Sequence, residues 1–171
     1  LPVPRLNYGV QTGNIPLGAA CLKQTAAILP EVDVDILPES VASYLGDAAI
    51  MEILLDHKPD IVGFTIYCWN LARSLYFAEK LKAHYAPRII FGGPEITPDN
   101  LLMRSDAVDF YVYGEGEAVF LKLIEDPTTW EKISSLEPAG ALFKNSPSPY
   151  LQNLLEPEIE NVMLLETQRG C

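Results

Sequence analysis

The sequence predicts an open, doubly wound α/β fold, flavodoxin-like in plan: a mostly parallel five-stranded sheet with helices on both faces. Three observations predict it. Strand and helix patterns alternate in five successive units up to about residue 126, an order that builds parallel sheets because each strand returns through a crossover helix. The run Ile61-Val62-Gly63-Phe64-Thr65-Ile66-Tyr67 is almost unbroken in apolar, β-branched and aromatic residues, as a strand covered on both faces requires. Two glycine-bearing loops, Gly92-Gly93 and Gly114-Glu115-Gly116, each follow a predicted strand.

The first unit pairs a short strand at residues 5–8 with a helix at residues 17–29, joined by the polar loop Gly9-Val10-Gln11-Thr12-Gly13-Asn14. Asn14 suits a cap, and Pro16 suits a first helical turn, where its missing N–H is not needed. Leu17, Cys21, Thr25 and Ile28 share one helical face, and Pro30 stops the helix. Residues 32–37 alternate as a second strand. Asp47 then caps a helix with Ile50, Leu54 and His57 on one side, ended by Lys58-Pro59-Asp60.

Residues 61–67 form the third strand, expected at the sheet centre. After Cys68 and Trp69, Asn70 caps a helix whose Leu71, Leu75, Ala78, Leu81 and Tyr85 repeat at helical spacing, closed by Pro87. Residues 88–91 form the fourth strand, and a short helix over 98–103 leads to the fifth, 110–113. The last helix carries Val119, Phe120, Leu123 and Ile124. Beyond Asp126 the chain turns proline-rich (Pro138, Pro147, Pro149, Pro157), with small strands at 141–143 and 162–167. The expected division is a domain over 1–126, a linker over 127–160 and the start of another domain over 161–171.

Composition narrows the function. The 171 residues carry 12 Lys plus Arg against 23 Asp plus Glu, a net charge of −11. With no basic run, such a chain is a poor binder of nucleic acid or anionic membrane. No apolar stretch approaches a membrane span, and the start lacks signal-peptide order, so the expectation is a cytoplasmic protein. Three widely spaced cysteines, Cys21, Cys68 and Cys171, do not make a disulfide framework. Both ends read as cut from a longer chain.

In parallel α/β sheets ligands bind outside the carboxyl ends of the strands. The loops there are Gln11-Thr12-Gly13-Asn14, residues 67–70, Gly92-Gly93-Pro94-Glu95 and Gly114-Glu115-Gly116-Glu117. Glycine lets backbone approach a bulky ligand, and it equally permits a tight turn. A phosphate loop is excluded because no G-x-x-x-x-G-K-[ST] occurs, and a dinucleotide site because no G-x-G-x-x-G follows the first strand.

Pro59-Asp60-Ile61-Val62-Gly63-Phe64-Thr65, Tyr67-x-Trp69-Asn70, Gly92-Gly93-Pro94-Glu95 and Asp109-Phe110-x-Val112-x-Gly114-Glu115-Gly116-Glu117 together resemble the N-terminal cobalamin-binding domain of cobalamin-dependent radical SAM enzymes. The terminal Glu166-Thr167-Gln168-Arg169-Gly170-Cys171 is similar to the E-T-x-R-G-C that opens that family's C-x-x-x-C-x-x-C motif. The resemblance implies a cobalamin cofactor and, in a full-length protein, a 4Fe-4S cluster with S-adenosylmethionine, Cys171 being one cluster ligand. It implies that Thr65, Tyr67, Gly92, Gly93 and Glu95 meet the corrin or its nucleotide tail. Residues 114–117 and the Gln11 to Asn14 loop would close the edge, with Trp69, Asn70 and Pro94 among the same loops. For Tyr67 and Trp69, packing and corrin contact are both open; Thr65 is equally suited to an ordinary strand position.

One departure stands out. Mutase-type cobalamin domains supply an axial His from D-x-H-x-x-G, whereas Tyr8-Gly9-Val10-Gln11-Thr12-Gly13 holds neither Asp nor His. His57 and His84 fall at helix C-termini, the opposite edge of such a sheet. The lower face of a bound corrin would be open, water-bound or met by another side chain. Cys21 reads as a core residue, Cys68 as a residue of the ligand edge, and Glu115 and Glu117 as complements to a helix N-terminus. The reading is a cobalamin-binding domain of a radical SAM methyltransferase or radical cyclase or rearrangement enzyme, inactive as this fragment. Its implied partners are the radical SAM barrel of the same chain and a small-molecule or natural-product substrate. The alternative is a non-enzymatic flavodoxin-like sensor or interaction domain that has lost cobalamin.

Overall fold

The computed structural model describes residues 15–133, apart from Ser43, and residues 147–155. Its elements are α1 (Leu17–Ala26), α2 (Glu39–Ala42), α3 (Asp47–His57), β1 (Ile61–Thr65), α4 (Leu71–His84), β2 (Arg88–Gly92), β3 (Phe110–Tyr111) and α5 (Glu117–Glu125). Two 3-10 turns, Leu101–Met103 and Trp130–Lys132, complete them.

The three strands are parallel in the order β1-β2-β3, with Gly63 opposite Ile90 and Phe91 opposite Tyr111. Side chains alternate between sheet faces, and each face has its own core. Val62, Phe64, Ile66, Ile89 and Phe91 pack against Ile50 of α3 and Phe77, Ala78 and Leu81 of α4. On the other face Ile90 and Val112 pack with Val119 and Leu123 of α5 and with Trp130. Helices on both faces of a parallel sheet make the fold doubly wound.

Among the described residues the sheet has three strands rather than the expected five. The segments 5–8, 141–143 and 162–167 lie outside the described residues. Residues 32–37 lie inside them and form no ladder. Val32, Val34 and Ile36 are half-buried while Asp33 and Asp35 are exposed, so the alternation is real, but no described strand pairs with it. Ile61–Thr65 ends the three-strand order instead of lying at its centre. Val62 and Phe64 are buried and Gly63 on the opposite face is exposed, so β2, with Ile89, Ile90 and Phe91 all buried, is the covered strand here.

Several boundaries moved for local reasons. Helix α1 stops at Ala26, which leaves Ile28 at 65% exposure instead of on the inward face. Gly46, not Asp47, occupies the cap position of α3, and Lys58 ends that helix with φ 45°. The turn at Leu101–Met103 is shorter than the helix expected over 98–103; Asn100 caps it by accepting the Leu102 N–H. Packing continues past Asp126. Trp130 is buried, donates from Nε1 to the Leu123 carbonyl at 2.8 Å and lies edge-on to Phe110.

Candidate functional site

Parallel strands point all their carboxyl ends one way, so the loops after β1, β2 and β3 gather on one edge. The first is held by Asn70. Its Oδ1 accepts the Tyr67 N–H at 2.8 Å, and its Nδ2 donates to the Thr65 carbonyl at 2.9 Å. The side chain is 2% exposed. Asn70 occupies the N-cap position of α4 without making the expected side-chain cap bond; it staples the loop instead.

On the stapled loop, Tyr67 and Trp69 stack with ring centroids 4.6 Å apart and planes 5° from parallel. Trp69 is 48% exposed. Cys68 between them is exposed.

The second loop is built backbone against backbone. The Gly92 carbonyl accepts the Ile66 N–H at 2.7 Å, and the Gly93 carbonyl accepts the Ile96 N–H at 3.0 Å, closing a turn over Pro94 and Glu95. Gly93 has φ +108°, and a Cβ there would lie 2.7 Å from the Ile66 nitrogen and 2.8 Å from its oxygen. Only glycine fits. Gly92 differs: a Cβ there meets only the Val112 Cβ, at an ordinary 3.7 Å.

The third loop runs from Val112 through Gly114, exposed with φ +75°, to Gly116, which caps α5. A Cβ on Gly116 would touch Leu22 at 3.6 Å, so this loop seats α5 against α1. Glu117, in the first turn of α5, is buried at 8% exposure; Glu115 is half-buried. Carboxylates there complement the helix end.

One geometric feature links these loops. Gly63, Thr65 and Gly92 share the α1/α5 face of the sheet through the register Gly63 to Ile90 and Thr65 to Gly92. A Cβ on Gly63 would find nothing within 4 Å among the described residues. Among the described residues, this face of β1 and β2 toward the carboxyl ends therefore carries Thr65 as its one side chain between two glycines, with Val112 beside Gly92.

The predicted residues Thr65, Tyr67, Trp69, Asn70, Gly92, Gly93, Pro94, Glu95, Gly114, Glu115, Gly116 and Glu117 thus lie in the three loops or at the strand and helix ends that border them, whereas Gln11, Thr12, Gly13, Asn14 and Cys171 lie outside the described residues. His57 and His84 are exposed at the C-terminal ends of α3 and α4, each Nδ1 lying against a carbonyl of its own helix, at the opposite edge. Asp109 also sits at that opposite edge. Its carboxylate pairs with Lys82 at 2.6 Å and accepts the Ile89 N–H at 2.6 Å, joining β2 to the start of β3. A groove of about 560 Å³ between α3 and α4, lined by Met51, Leu55, Tyr76 and His84, lies on the helical flank away from the strand ends.

Two phenols are perturbed. Tyr111 donates to the Met103 carbonyl at 2.9 Å; burial raises its pKa, and the Ser105 N–H and Arg104 partly offset this. Burial, reinforced by Asp60, likewise raises Tyr85. Sequence reasoning missed Gly63 as part of the edge; the signal was a lone glycine inside an otherwise bulky strand, a mark of close approach to that strand.

The fold is a doubly wound α/β domain with three loops gathered at the carboxyl ends of its parallel strands. The B12 binding domain family matches residues 10–124, and the chain belongs to that family. It is 27% identical over 141 residues to 2-(S-pantetheinyl)-carbapenam-3-carboxylate methyltransferase of Streptantibioticus cattleyicolor, an alignment covering 66% of this chain and 21% of that protein. It is 26% identical over 142 residues to the cobalamin-dependent radical SAM methyltransferase TokK of Streptomyces tokunonensis, covering 67% and 21% respectively. The chain spans about a fifth of the length of these relatives. No helix among the described residues is long and apolar enough to cross a membrane.

Proposed function

We propose that this chain binds cobalamin on the carboxyl edge of its sheet and forms the front domain of a longer cobalamin-dependent radical SAM enzyme, most simply a methyltransferase. A radical cyclase or rearrangement enzyme is the other reaction class in the proposal. The carrying observation is the bare strip of Gly63, Thr65 and Gly92 beneath three loops, in a chain that belongs to the B12 binding domain family. When bound, cobalamin supplies a transferable methyl group or a radical partner.

The chain's own residues bind and orient. Gly63 and Gly92 leave room for the nucleotide tail, and Thr65 offers its hydroxyl to the tail base. Gly93 and Asn70 fix the loop heights, and the stacked Tyr67 and Trp69 give the corrin an apolar floor. Pro94, Glu95 and residues 114–117 border the corrin rim, where carboxylates accept hydrogen bonds from amide side arms. Gln11, Thr12, Gly13 and Asn14 close the edge. The proposal also includes two further strands, residues 5–8 and 32–37, completing a five-stranded sheet, a linker over 127–160 and a barrel beginning near 161. Cys171 would be one ligand of a 4Fe-4S cluster that binds S-adenosylmethionine. The partners proposed are that barrel and a small-molecule substrate, in the cytoplasm.

Incubation with hydroxocobalamin, desalting and absorption spectroscopy test the reading. One cobalamin retained per chain supports it. A folded protein that retains none supports instead a non-enzymatic domain that has lost the cofactor, the reading suggested by the missing Asp and His after residue 8.

A further inference from the structure

Part of the stretch that the sequence assigns to a linker is folded onto the domain. Within residues 147–155 the Leu151 N–H donates to the Ser148 carbonyl at 3.0 Å, the Asn153 N–H to the Tyr150 carbonyl at 3.3 Å and the Leu154 N–H to the Pro149 carbonyl at 3.1 Å. The segment is therefore a closed turn and not an extended connection. Asn153 has φ 53°, a left-handed conformation that asparagine adopts more readily than most residues. Pro149 and Leu155 are buried, whereas Leu151 between them is 82% exposed. One side chain of α1 ties the segment down: Gln24 Nε2 donates to the Pro147 carbonyl and to Gln152 Oε1, the latter at 3.0 Å. The other side of α1 meets the candidate site. Leu22 comes within 3.6 Å of where a Gly116 Cβ would lie, in the loop that follows β3. At about 3.6 residues per turn, two positions apart on a helix means about 200° of rotation, so α5 and residues 147–155 hold α1 from opposite sides.

Resting on the proposed function above, we infer that residues 147–155 are a strap that presses α1 onto α5 and thereby fixes the loop Gly114-Glu115-Gly116-Glu117 at the cofactor edge. Two observations carry this. Contact runs without a break from the strap to Gln24, through α1 to Leu22, and on to Gly116, which caps α5. The helix also has a weak hold of its own: the residues it buries are Ala20, Cys21 and Ala26, all small, and burial stabilises in proportion to the apolar area removed from water. A helix seated by small side chains on one side keeps its place when a second element closes over the other. Gln24 is in this sense a positioning residue, acting on the edge through Leu22.

The test compares the parent chain with Gln24→Ala and Leu155→Asp by hydrogen–deuterium exchange and mass spectrometry, with Leu151→Asp as a control on the exposed side of the strap. Gln24→Ala removes both hydrogen bonds at a half-buried helical position that alanine suits, so the fold survives it. Leu155→Asp sets a carboxylate where a buried leucine stood. The expected result in both is exchange about tenfold faster over 147–155, 17–26 and 114–117, with 61–65 and 88–92 unchanged and Leu151→Asp matching the parent. Titration with hydroxocobalamin should show a dissociation constant raised about fivefold in the same two variants. Faster exchange over 147–155 alone would overturn the inference, as would a parent in which that segment exchanges freely. Coupled exchange with an unaltered dissociation constant would overturn the strap's role at the edge. A parent that retains no cobalamin would remove the cofactor reading, while the exchange pattern still decides the strap.

Discussion

Gly92 and Gly93 are neighbours with different jobs, and alanine at each separates them. At Gly93 the φ of +108° lies where a side chain is strained, and the Cβ would sit 2.7 Å and 2.8 Å from backbone atoms of Ile66. Backbone strain of this kind costs roughly 1–3 kcal/mol. The Ile66 backbone cannot retreat without breaking its bond to the Gly92 carbonyl, so about 3 kcal/mol or more is expected in total. For a chain of this size that lowers the melting temperature by roughly 6–12 °C. At Gly92 the Cβ meets Val112 at 3.7 Å, an ordinary contact, and stability should change by less than about 1 kcal/mol. Its methyl nevertheless enters the bare strip, so cobalamin affinity should fall about tenfold, equivalent to ~1.4 kcal/mol. Thermal melts and spectrophotometric cobalamin titration on both variants read the two effects, with Gly46→Ser as a control at a cap where a Cβ meets nothing within 4 Å. A Gly93→Ala protein that melts with the parent would refute the backbone argument. Parental affinity in Gly92→Ala would remove the strip from the site.

Four further outcomes follow from the same geometry. Asn70→Ala leaves the Tyr67 N–H and the Thr65 carbonyl without their partner and should cost about 2–3 kcal/mol in urea denaturation; an unchanged midpoint would contradict the staple. Asp109→Asn weakens the pairing with Lys82 and the hold on the Ile89 N–H, for an expected loss of about 1–2 kcal/mol, checked in the same way. Tyr85 and Tyr111 are raised above the ordinary 10.0 chiefly by burial, so the fold favours their neutral forms. Their contribution is full below that value and is lost as pH rises through the raised ones. Urea midpoints should therefore fall on the alkaline side of pH 10.0, less steeply in Tyr85→Phe. With cob(II)alamin bound, electron paramagnetic resonance of protein labelled with ¹⁵N-histidine should match that of unlabelled protein, because His57 and His84 sit on the opposite edge; altered splitting would show that a histidine reaches the cobalt.

Much of the fold was legible because periodicity reports burial, and burial is what each element was built to achieve. Helices α3, α4 and α5 and strands β1, β2 and β3 were found where apolar spacing placed them. The failures have local physical causes. Alternation over residues 32–37 predicted a strand, and the burial does alternate there, but no described strand pairs with it: a ladder needs a partner, and periodicity within one segment carries no information about its neighbour. Ile28 fitted the inward face of α1 only if the helix continued, and it ends at Ala26. Trp130 was overlooked because its surroundings are polar and proline-bearing. Its burial depends on a carbonyl of α5 seven residues back and on the ring of Phe110, which lies on a strand before that helix.

The site was legible as a set of loops but not as a division of labour. Sequence treated Gly92 and Gly93 as one motif and Asn70 as a helix cap. The physical distinction between the two glycines is set by Ile66, which lies 26 and 27 positions earlier in the chain and meets a Gly93 Cβ through its backbone rather than its side chain. Asn70 is likewise recruited by the unpaired Thr65 carbonyl where β1 leaves the ladder. Both residues hold loop backbone in place, and the proposal assigns ligand contact to Gly63, Thr65, Gly92 and the exposed ring of Trp69. A glycine that the fold itself requires cannot serve as evidence for a ligand, whereas Gly63, which no described neighbour requires, can. The bare strand position therefore carries more weight for cofactor binding than the glycine pair that first drew attention to this edge.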